Sequence, residues 1–238
     1  MRKTSCMALV LSASLVLSSC SSMSNATKGG LIGGAAGTAV GTLIGKIAGN
    51  NKGAVIGAVA GAAVGTTAGV LIGKKMDKAA AAAAAIDGAE VEQVTDNNGL
   101  QAVKVTFDSG ILFASGNSTL NSTAKSSLSK FANNVLNQNS NMDVAIYGYT
   151  DNTGWKNCTT EQSTQKNLNL SQERAQSVSS YLLGCGVASS QIKTVEGLGE
   201  SNPVASNDTA AGKEQNRRVE VYLYASSEMI QQAEAGTL

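Results

Sequence analysis

The sequence contains no histidine, and this single absence removes several classes of enzyme. A Ser-His-Asp hydrolase needs the imidazole as its general base, and most catalytic zinc sites use it as a ligand. The carboxylates show no paired spacing typical of acid–base catalysis. The glycine-rich stretch near the amino terminus lacks the Lys-Ser/Thr pair that ends a phosphate-binding loop. The sequence therefore predicts a protein that is not an enzyme and that uses neither a metal nor a cofactor.

Arginine and net positive charge are also scarce. The chain carries 18 Lys and Arg against 17 Asp and Glu, and only four of the basic residues are arginine. Residues 79–238 hold ten basic and sixteen acidic side chains, a net charge of −6. This balance argues against nucleic acid as a partner, because binding phosphates needs a basic surface. Residues 28–78 have six lysines and one aspartate, which suits anionic lipid headgroups.

The first 20 residues have the layout of an export signal. Two basic residues precede an apolar run, and the run ends in the tetrapeptide LSSC at residues 17–20. This tetrapeptide resembles the lipobox of bacterial lipoproteins, in which the cysteine becomes the first residue and is acylated. We therefore predict a signal peptide over residues 1–19, a tether lipidated at Cys20 over residues 20–28, and attachment to the outer membrane. The alternative is an ordinary signal peptide in which Cys20 has no role.

Glycine recurs every four residues over residues 29–75. This spacing places a smooth glycine stripe on each of two helices and lets their backbones approach closely, as in small-xxx-small membrane interfaces. Each half would be about 31 Å long at ~1.5 Å per residue, near the ~30 Å hydrocarbon thickness of a bilayer. We predict a membrane-associated glycine-zipper hairpin that could form homo-oligomers. The alternative is a flexible spacer, because glycine costs a helix about 1 kcal/mol relative to alanine in water.

The rest of the chain predicts one α+β domain. Residues 76–100 are predicted to be a linker and a leading strand, with the hairpin turn sequence DNNG just before the second strand. Over residues 101–226, strands and amphipathic helices follow in the order βαβαββ, with Ser171 predicted to cap the second helix. Residues 227–238 are predicted to be a loose tail.

A polar turn with the sequence TDNTG follows the central strand at residues 150–154. The three arginines outside the signal peptide lie at positions 174, 217 and 218. A guanidinium matches a carboxylate with two parallel hydrogen bonds, whereas an aspartate suits an ammonium group. Asp151 and Arg174 at one rim would therefore form a receptor for a zwitterion. The alternative is structural: Asp151 could close an Asx-type turn, and Arg174 could form a solvated ion pair worth under ~1 kcal/mol.

Taken in order, these motifs resemble the OmpA-like peptidoglycan-binding domain. The resemblance is carried by Thr150-Asp151-x-x-Gly154, Asn167-x-x-Leu170-Ser171-x-x-Arg174-Ala175-x-x-Val178, Gly197-x-Gly199-Glu200-x-x-Pro203 and Asn216-Arg217-Arg218-Val219-Glu220. It implies an α+β sandwich over residues 101–226 whose ligand is meso-diaminopimelate in the peptide stem of peptidoglycan. It further implies that Asp151 binds the ammonium group of the ligand and Arg174 its carboxylate. The remaining pocket residues would be Asn167, Arg217 and the backbone around Thr150 and Asn152.

The sequence departs from the family pattern between Gly154 and Asn167. Twelve residues, Trp155–Lys166, stand where the family usually has a much shorter connection. This insertion could widen the pocket or cover it. Cys158 lies in the insertion and Cys185 near the end of the next helix, so they could form a disulfide in an exported domain. Two separate thiols are the alternative.

The sequence thus predicts a lipoprotein that tethers the outer membrane to the cell wall by binding peptidoglycan noncovalently, with its domain in the periplasm. In one alternative, the glycine zipper is a membrane oligomer or pore element and the domain is only its wall anchor. In another, the chain is an envelope assembly scaffold whose insertion recruits a protein partner. Removing residues 29–75 distinguishes the first alternative, because wall binding would persist while oligomers would be lost.

Overall fold

A computed structural model describes residues 65–96 and 98–238, so the predicted signal peptide, the tether and most of the glycine-rich segment lie outside the described residues. The helices are α1 (Thr66–Ala84), α2 (Ser109–Leu112), α3 (Ser122–Phe131), its π-helical continuation (Ala132–Leu136), α4 (Thr160–Gly184), α5 (Ala210–Asn216) and α6 (Ser227–Glu234). The strands are β1 (Ala89–Thr95), β2 (Gln101–Asp108), β3 (Met142–Gly148), β4 (Ile192–Gly197) and β5 (Arg218–Ala225). The predicted α+β class and the βαβαββ order are confirmed, with β1 placed in front.

The five strands form one sheet in the order β1-β2-β5-β3-β4. Strands β3 and β4 are parallel because α4 crosses between them, and the other neighbours are antiparallel. The predicted hairpin between β1 and β2 is confirmed. Its turn is closed by Asp96, whose carboxylate accepts hydrogen bonds from the backbone N–H groups of Asn98 and Leu100, each at 2.8 Å.

The two faces of the sheet carry different side chains. Alternate residues of β2, β3 and β5 point toward the helices and form the main core with them: Val103, Val105, Phe107, Val144, Ile146, Val219, Val221 and Leu223. The opposite face carries a second buried cluster that includes Tyr147, Tyr149, Tyr222 and Tyr224. The long helices α1, α3, α4 and α6 pack on the first face. Helix α4 lies over β3 and β4 and contacts their carboxyl ends.

Helix α1 corrects the predicted linker over residues 76–100. The first part of that range belongs to α1, and the apolar face of this helix lies in the main core: Ala68, Ile72, Met76, Ala79, Ala80 and Ala83. These residues recur every three or four positions, which is the helical period. The prediction missed this face because its second half is alanine, which resembles a spacer in sequence but allows close packing in a core.

The same helix changes the boundary of the predicted membrane hairpin. Gly69 and Gly73, which belong to the period-four glycine series, are buried in α1. The carboxyl end of the predicted 29–75 hairpin is therefore part of the globular unit, and residues 29–64 of that hairpin lie outside the described residues. Within residues 65–96 and 98–238, no helix combines the length and the apolarity needed to cross a bilayer.

The packing of α1 leads to a prediction about stability. Met76 is fully buried, so Met76→Ala is expected to lower the free energy of unfolding by about 2–5 kcal/mol. A substitution in an exposed linker would change the free energy of unfolding by less than about 0.5 kcal/mol. Urea denaturation measures the difference, with Lys78→Ala as the control because Lys78 is exposed on the same helix. Equal denaturation midpoints for the two variants would contradict the packing of α1.

The predicted loose tail over residues 227–238 is also wrong for most of its length. The Ser226 hydroxyl caps α6 by accepting a hydrogen bond from the Met229 N–H at 3.1 Å. Met229, Ile230 and Ala233 are buried in the main core, where α6 lies against α1. The two ends of the described chain therefore close the core together.

Helix α4 begins well before Ser171, the residue predicted to cap it. Thr159 is the cap, in a reciprocal capping box with Gln162: the Thr159 hydroxyl accepts from the Gln162 N–H, and the Gln162 side chain accepts from the Thr159 N–H at 2.9 Å. Much of the Trp155–Lys166 insertion is therefore helix rather than loop. Ser171 lies inside α4, where its hydroxyl accepts from the Gly199 N–H at 2.8 Å.

The predicted disulfide between Cys158 and Cys185 is wrong, since both residues are free cysteines. Cys158 precedes α4 and Cys185 follows its last residue. A helix of 25 residues is about 37 Å long at ~1.5 Å per residue. A disulfide needs Cα atoms within roughly 7 Å. The prediction failed because it began the helix at Ser171 and treated the insertion as a loop that could fold back.

Both thiols are therefore expected to be alkylated in the unreduced protein. They are partly exposed, and alkylation of the denatured chain without reductant should leave one adduct on the peptide containing Cys158 and one on that containing Cys185. Peptide mass mapping measures this directly, with a reduced sample as the control. A linked peptide pair whose mass disappears on reduction would contradict the separation of the two residues.

Candidate functional site

A cavity of about 700 Å³ lies between the turn after β3, the amino-terminal half of α4, and α2 with the loop behind it. Five of the six predicted ligand-binding residues line this cavity: Thr150, Asp151, Asn167, Arg174 and Arg217. Asn152 does not line it and is exposed to solvent. The cavity thus brings together residues that are far apart in the sequence.

Two glycines bring α4 close enough to the sheet to form the cavity. A Cβ at Gly148 would lie 2.2 Å from the carbonyl oxygen of Ser171, and one at Gly197 would lie 2.1 Å from the backbone nitrogen of Gln172. No side chain fits at such distances, so the α4 backbone lies directly on the ends of β3 and β4. This contact places Arg174, two residues further along α4, beside the turn that carries Asp151.

Asp151 is held in its ionised form by two hydrogen bonds. Arg217 Nη1 donates to Oδ2 at 2.5 Å, and the Thr153 N–H donates to Oδ1 at 2.8 Å. Burial by itself would raise the pKa of Asp151, but the hydrogen bonds from Thr153 and Arg217 outweigh it and hold that pKa below its usual value. The bond to Thr153 is the Asx-type turn considered as a structural role, so the carboxylate serves the turn and lines the cavity at once.

Arg174 is a buried cation without a carboxylate partner among residues 65–96 and 98–238. Only 3% of its surface is exposed. Its Nε donates to the carbonyl oxygen of Asn117 at 3.0 Å, and its guanidinium carbon lies 5.2 Å from the centre of the Phe113 ring. Burial and the nearby positive charge of Arg217 lower the pKa of Arg174 to about 10, and the negative charge of Asp151 opposes them in part. An anion in the cavity would therefore meet a buried guanidinium that forms no salt bridge with a carboxylate of the described residues.

Asn167 organises the rim of the cavity through its side-chain amide. Its Nδ2 donates to the carbonyl oxygen of Thr153 at 3.2 Å, and its Oδ1 accepts from the indole N–H of Trp155 at 2.8 Å. Trp155 also lines the cavity, and the ammonium of Lys166 lies 5.5 Å from the centre of its ring. The inserted segment thus forms one wall of the cavity and fixes the orientation of Asn167.

Arg218 has a different role from Arg174 and Arg217. Its Nε donates to Oε1 of the buried Glu220 at 2.7 Å, and its guanidinium carbon lies 3.8 Å from the centre of the Tyr149 ring. It does not line the cavity. Of the three arginines grouped by the sequence, two therefore belong to the site and one to the interior of the fold.

The cavity residues that were not predicted from the sequence to bind the ligand include Ser109, Phe113, Trp155 and Lys156. Trp155 could have been found, because it is the sole tryptophan of the chain and directly follows the polar turn. Ser109 gives no such signal, since a serine between a strand and a short turn is common. In the described part of the chain, no group of three or more Cys, Asp and Glu side chains is arranged to hold a metal ion.

Comparison with known proteins agrees with this geometry. Residues 112–217 match the OmpA family, and residues 1–77 match the YMGG-like Gly-zipper. The probable lipoprotein YiaD of Escherichia coli K12 is 39% identical over 136 residues, which cover 57% of this chain and 55% of YiaD. The peptidoglycan-binding protein ArfA of Mycobacterium tuberculosis H37Rv is 50% identical over 78 residues, 33% of this chain and 21% of ArfA. The chain thus spans about half of YiaD and about a fifth of ArfA.

Two further comparisons bear on the family and the fold. The periplasmic domain of MotB from Helicobacter pylori has the same fold at 21% identity, with a TM-score of 0.50 over 62% of this chain and 88% of that domain. Outer membrane protein A of Bordetella avium is 34% identical over 141 residues, which cover 59% of this chain and 68% of that protein. With the ordered motifs and the cavity they build, these matches show that this chain belongs to the OmpA family.

Proposed function

We propose that this chain binds peptidoglycan through the diaminopimelate of its stem peptide and thereby holds the outer membrane against the cell wall. The observation that carries the proposal is the buried guanidinium of Arg174, which faces the same cavity as the Asp151–Arg217 pair and has no carboxylate of its own in the described structure. The similarity to ArfA, a peptidoglycan-binding protein, supports the same ligand class.

The ligand chemistry follows from how the charges are arranged. The free end of diaminopimelate in a stem peptide carries one ammonium and one carboxylate on the same carbon. Its carboxylate would accept two parallel hydrogen bonds from the guanidinium of Arg174. Its ammonium would form an ion pair with Asp151, which is already ionised. Arg217 would remain on Asp151 and keep that carboxylate in place. A lysine residue in a stem peptide offers its side-chain ammonium without an adjacent carboxylate, so it should bind far more weakly.

The membrane side of the proposal rests on residues outside the described part of the chain. Cys20 would be acylated, and residues 29–64 would lie in or against the membrane as a glycine zipper. The match of residues 1–77 to the YMGG-like Gly-zipper and the similarity to a probable lipoprotein support this arrangement. The same zipper match favours self-association of the anchored chains. The cavity would then serve binding alone, and the protein would not be an enzyme.

Co-sedimentation with isolated peptidoglycan tests the proposal. The full chain, purified in detergent, is expected to pellet with diaminopimelate-containing sacculi. Free meso-diaminopimelate should release it, whereas Nα-acetyl-lysine amide, whose α groups are blocked as in a stem peptide, should not at the same concentration. Sacculi in which lysine replaces diaminopimelate provide the matched control. Equal pelleting with both kinds of sacculi, or equal release by both compounds, would contradict the assigned ligand.

A further inference from the structure

Two buried hydroxyl groups at the cavity have no hydrogen-bond partner in the described structure. They belong to Ser109, which is 1% exposed, and to Thr150, which is 5% exposed. Both residues line the cavity. A buried hydroxyl without a partner costs free energy, and native proteins keep few of them without a reason.

Buried serines elsewhere in the fold are satisfied. The hydroxyl of Ser127 donates to the carbonyl oxygen of Asp87 at 3.0 Å, and that of Ser171 donates to the carbonyl oxygen of Leu168 at 2.7 Å. Ser109 and Thr150 differ from these serines because their hydroxyls have no partner in the described structure. A third buried hydroxyl without a partner, that of Tyr149, does not line the cavity.

The backbone groups of the same two residues are already used. The Ser109 N–H donates to the carbonyl oxygen of Arg217 at 2.9 Å, and the Thr150 N–H donates to that of Gly199 at 2.8 Å. These bonds fix both residues at the wall, one beside Arg217 and the other beside Asp151. Among the hydrogen-bond donors of the two residues, only the side-chain hydroxyls remain for a ligand.

The charge of the cavity indicates which ligand atoms they would meet. Three cations line it, Lys156, Arg174 and Arg217, against the single carboxylate of Asp151. The lining of the cavity therefore carries a net positive charge. A hydroxyl in such surroundings turns its oxygen toward the cations and offers its hydrogen to an incoming anion.

We propose that the hydroxyls of Ser109 and Thr150 donate hydrogen bonds to carboxylate oxygens of the ligand, within the cavity that Arg174 also lines. This inference rests on the proposed function and adds two donors to the recognition of its zwitterion. Neither hydroxyl has a protein partner in the described structure, so both are available to a ligand carboxylate.

Calorimetric titration of the full chain in detergent with a soluble disaccharide-tripeptide that contains meso-diaminopimelate tests this inference, together with thermal unfolding of the unliganded protein. Ser109→Ala and the isosteric Thr150→Val are each expected to weaken binding about five- to twentyfold. Their melting temperatures should equal or exceed that of the wild type, because each removes an unsatisfied group. Ser127→Ala, which removes a paired buried hydroxyl far from the cavity, should show the reverse: a lower melting temperature with unchanged affinity.

The outcomes separate this inference from the proposed function. Wild-type affinity in both Ser109→Ala and Thr150→Val would overturn the role of the hydroxyls while leaving the proposed ligand in place. A melting temperature lowered as much as in Ser127→Ala would show that the hydroxyls serve the fold, and would overturn it as well. If the wild type itself does not bind the fragment, the proposed function fails first.

Discussion

Arg174→Ala is expected to abolish binding of the full chain to peptidoglycan, with a loss in affinity of at least about 30-fold. Truncating one partner of a desolvated, hydrogen-bonded charge pair costs about 2–5 kcal/mol, and tenfold in affinity corresponds to about 1.4 kcal/mol. Arg174 falls in this class because it is 3% exposed and forms no salt bridge with a carboxylate of the described residues. A bound ligand carboxylate would supply that partner. Co-sedimentation over a range of sacculus concentrations measures the change.

The fold should survive this substitution. Burial already lowers the pKa of Arg174 to about 10, which means that the folded state disfavours its charged form. Removing that charge should therefore offset much of the packing lost against Phe113, and the denaturation midpoint should stay near that of the wild type. If the variant were unfolded, its loss of binding would say nothing about the site. The denaturation midpoint is therefore measured in parallel.

Two further variants define what Arg174 contributes. Arg174→Lys keeps the charge but loses the planar fork, and should recover part of the affinity. Lys130→Ala removes an exposed cation of α3 that pairs with Asp87 and does not line the cavity. This variant should bind as the wild type does. If Arg174→Ala and Lys130→Ala bind equally, the guanidinium is not the anion site.

The pairing of Asp151 with Arg217 shows where sequence reasoning on this site reaches its limit. Residue types and motif order predicted five residues that the fold brings to one cavity. The sequence could not show which arginine is already neutralised, because that depends on distances after folding. Arg217 is bonded to Asp151, Arg218 to Glu220, and Arg174 alone is left with no carboxylate among the described residues. Which of the three arginines has no carboxylate partner therefore depends on how the folded chain packs.

The elements at the edges of the domain show a similar limit. The central strands and α3 were predicted well, since their apolar periods are regular and their side chains large. Helix α1 and helix α6 were missed because each is stable only against the other and the sheet, through contacts that join residues far apart in the chain. The start of α4 was misplaced because Ser171 and Thr159 are both good caps in sequence, and only the capping box with Gln162 decides between them.

Gly197→Ala is expected to have the largest effect on stability of any single change near the site, lowering the free energy of unfolding by roughly 3 kcal/mol or more. The added Cβ would lie 2.1 Å from the backbone nitrogen of Gln172 and 2.5 Å from its Cα. These atoms belong to the helix backbone and cannot rotate away as a side chain would. Either α4 lifts from β4 or the strand end moves. Urea denaturation of the full chain measures the cost.

The matched control is Gly184→Ala at the end of the same helix. A Cβ there meets nothing within 4 Å, so this variant should be as stable as the wild type or slightly more stable, because alanine favours helix over glycine. Similar midpoints for the two variants would contradict the close contact between α4 and the strand ends.

Binding should respond to Gly197→Ala even under conditions in which the variant remains folded. Gln172 lies two residues before Arg174 on α4, so a helix lifted by an ångström would carry the guanidinium away from Asp151, and recognition depends on both groups at once. We therefore expect the folded variant to lose affinity for peptidoglycan while Gly184→Ala retains it. If the folded but destabilised Gly197→Ala variant kept full affinity, the contact between Gly197 and Gln172 would not set the spacing of Asp151 and Arg174.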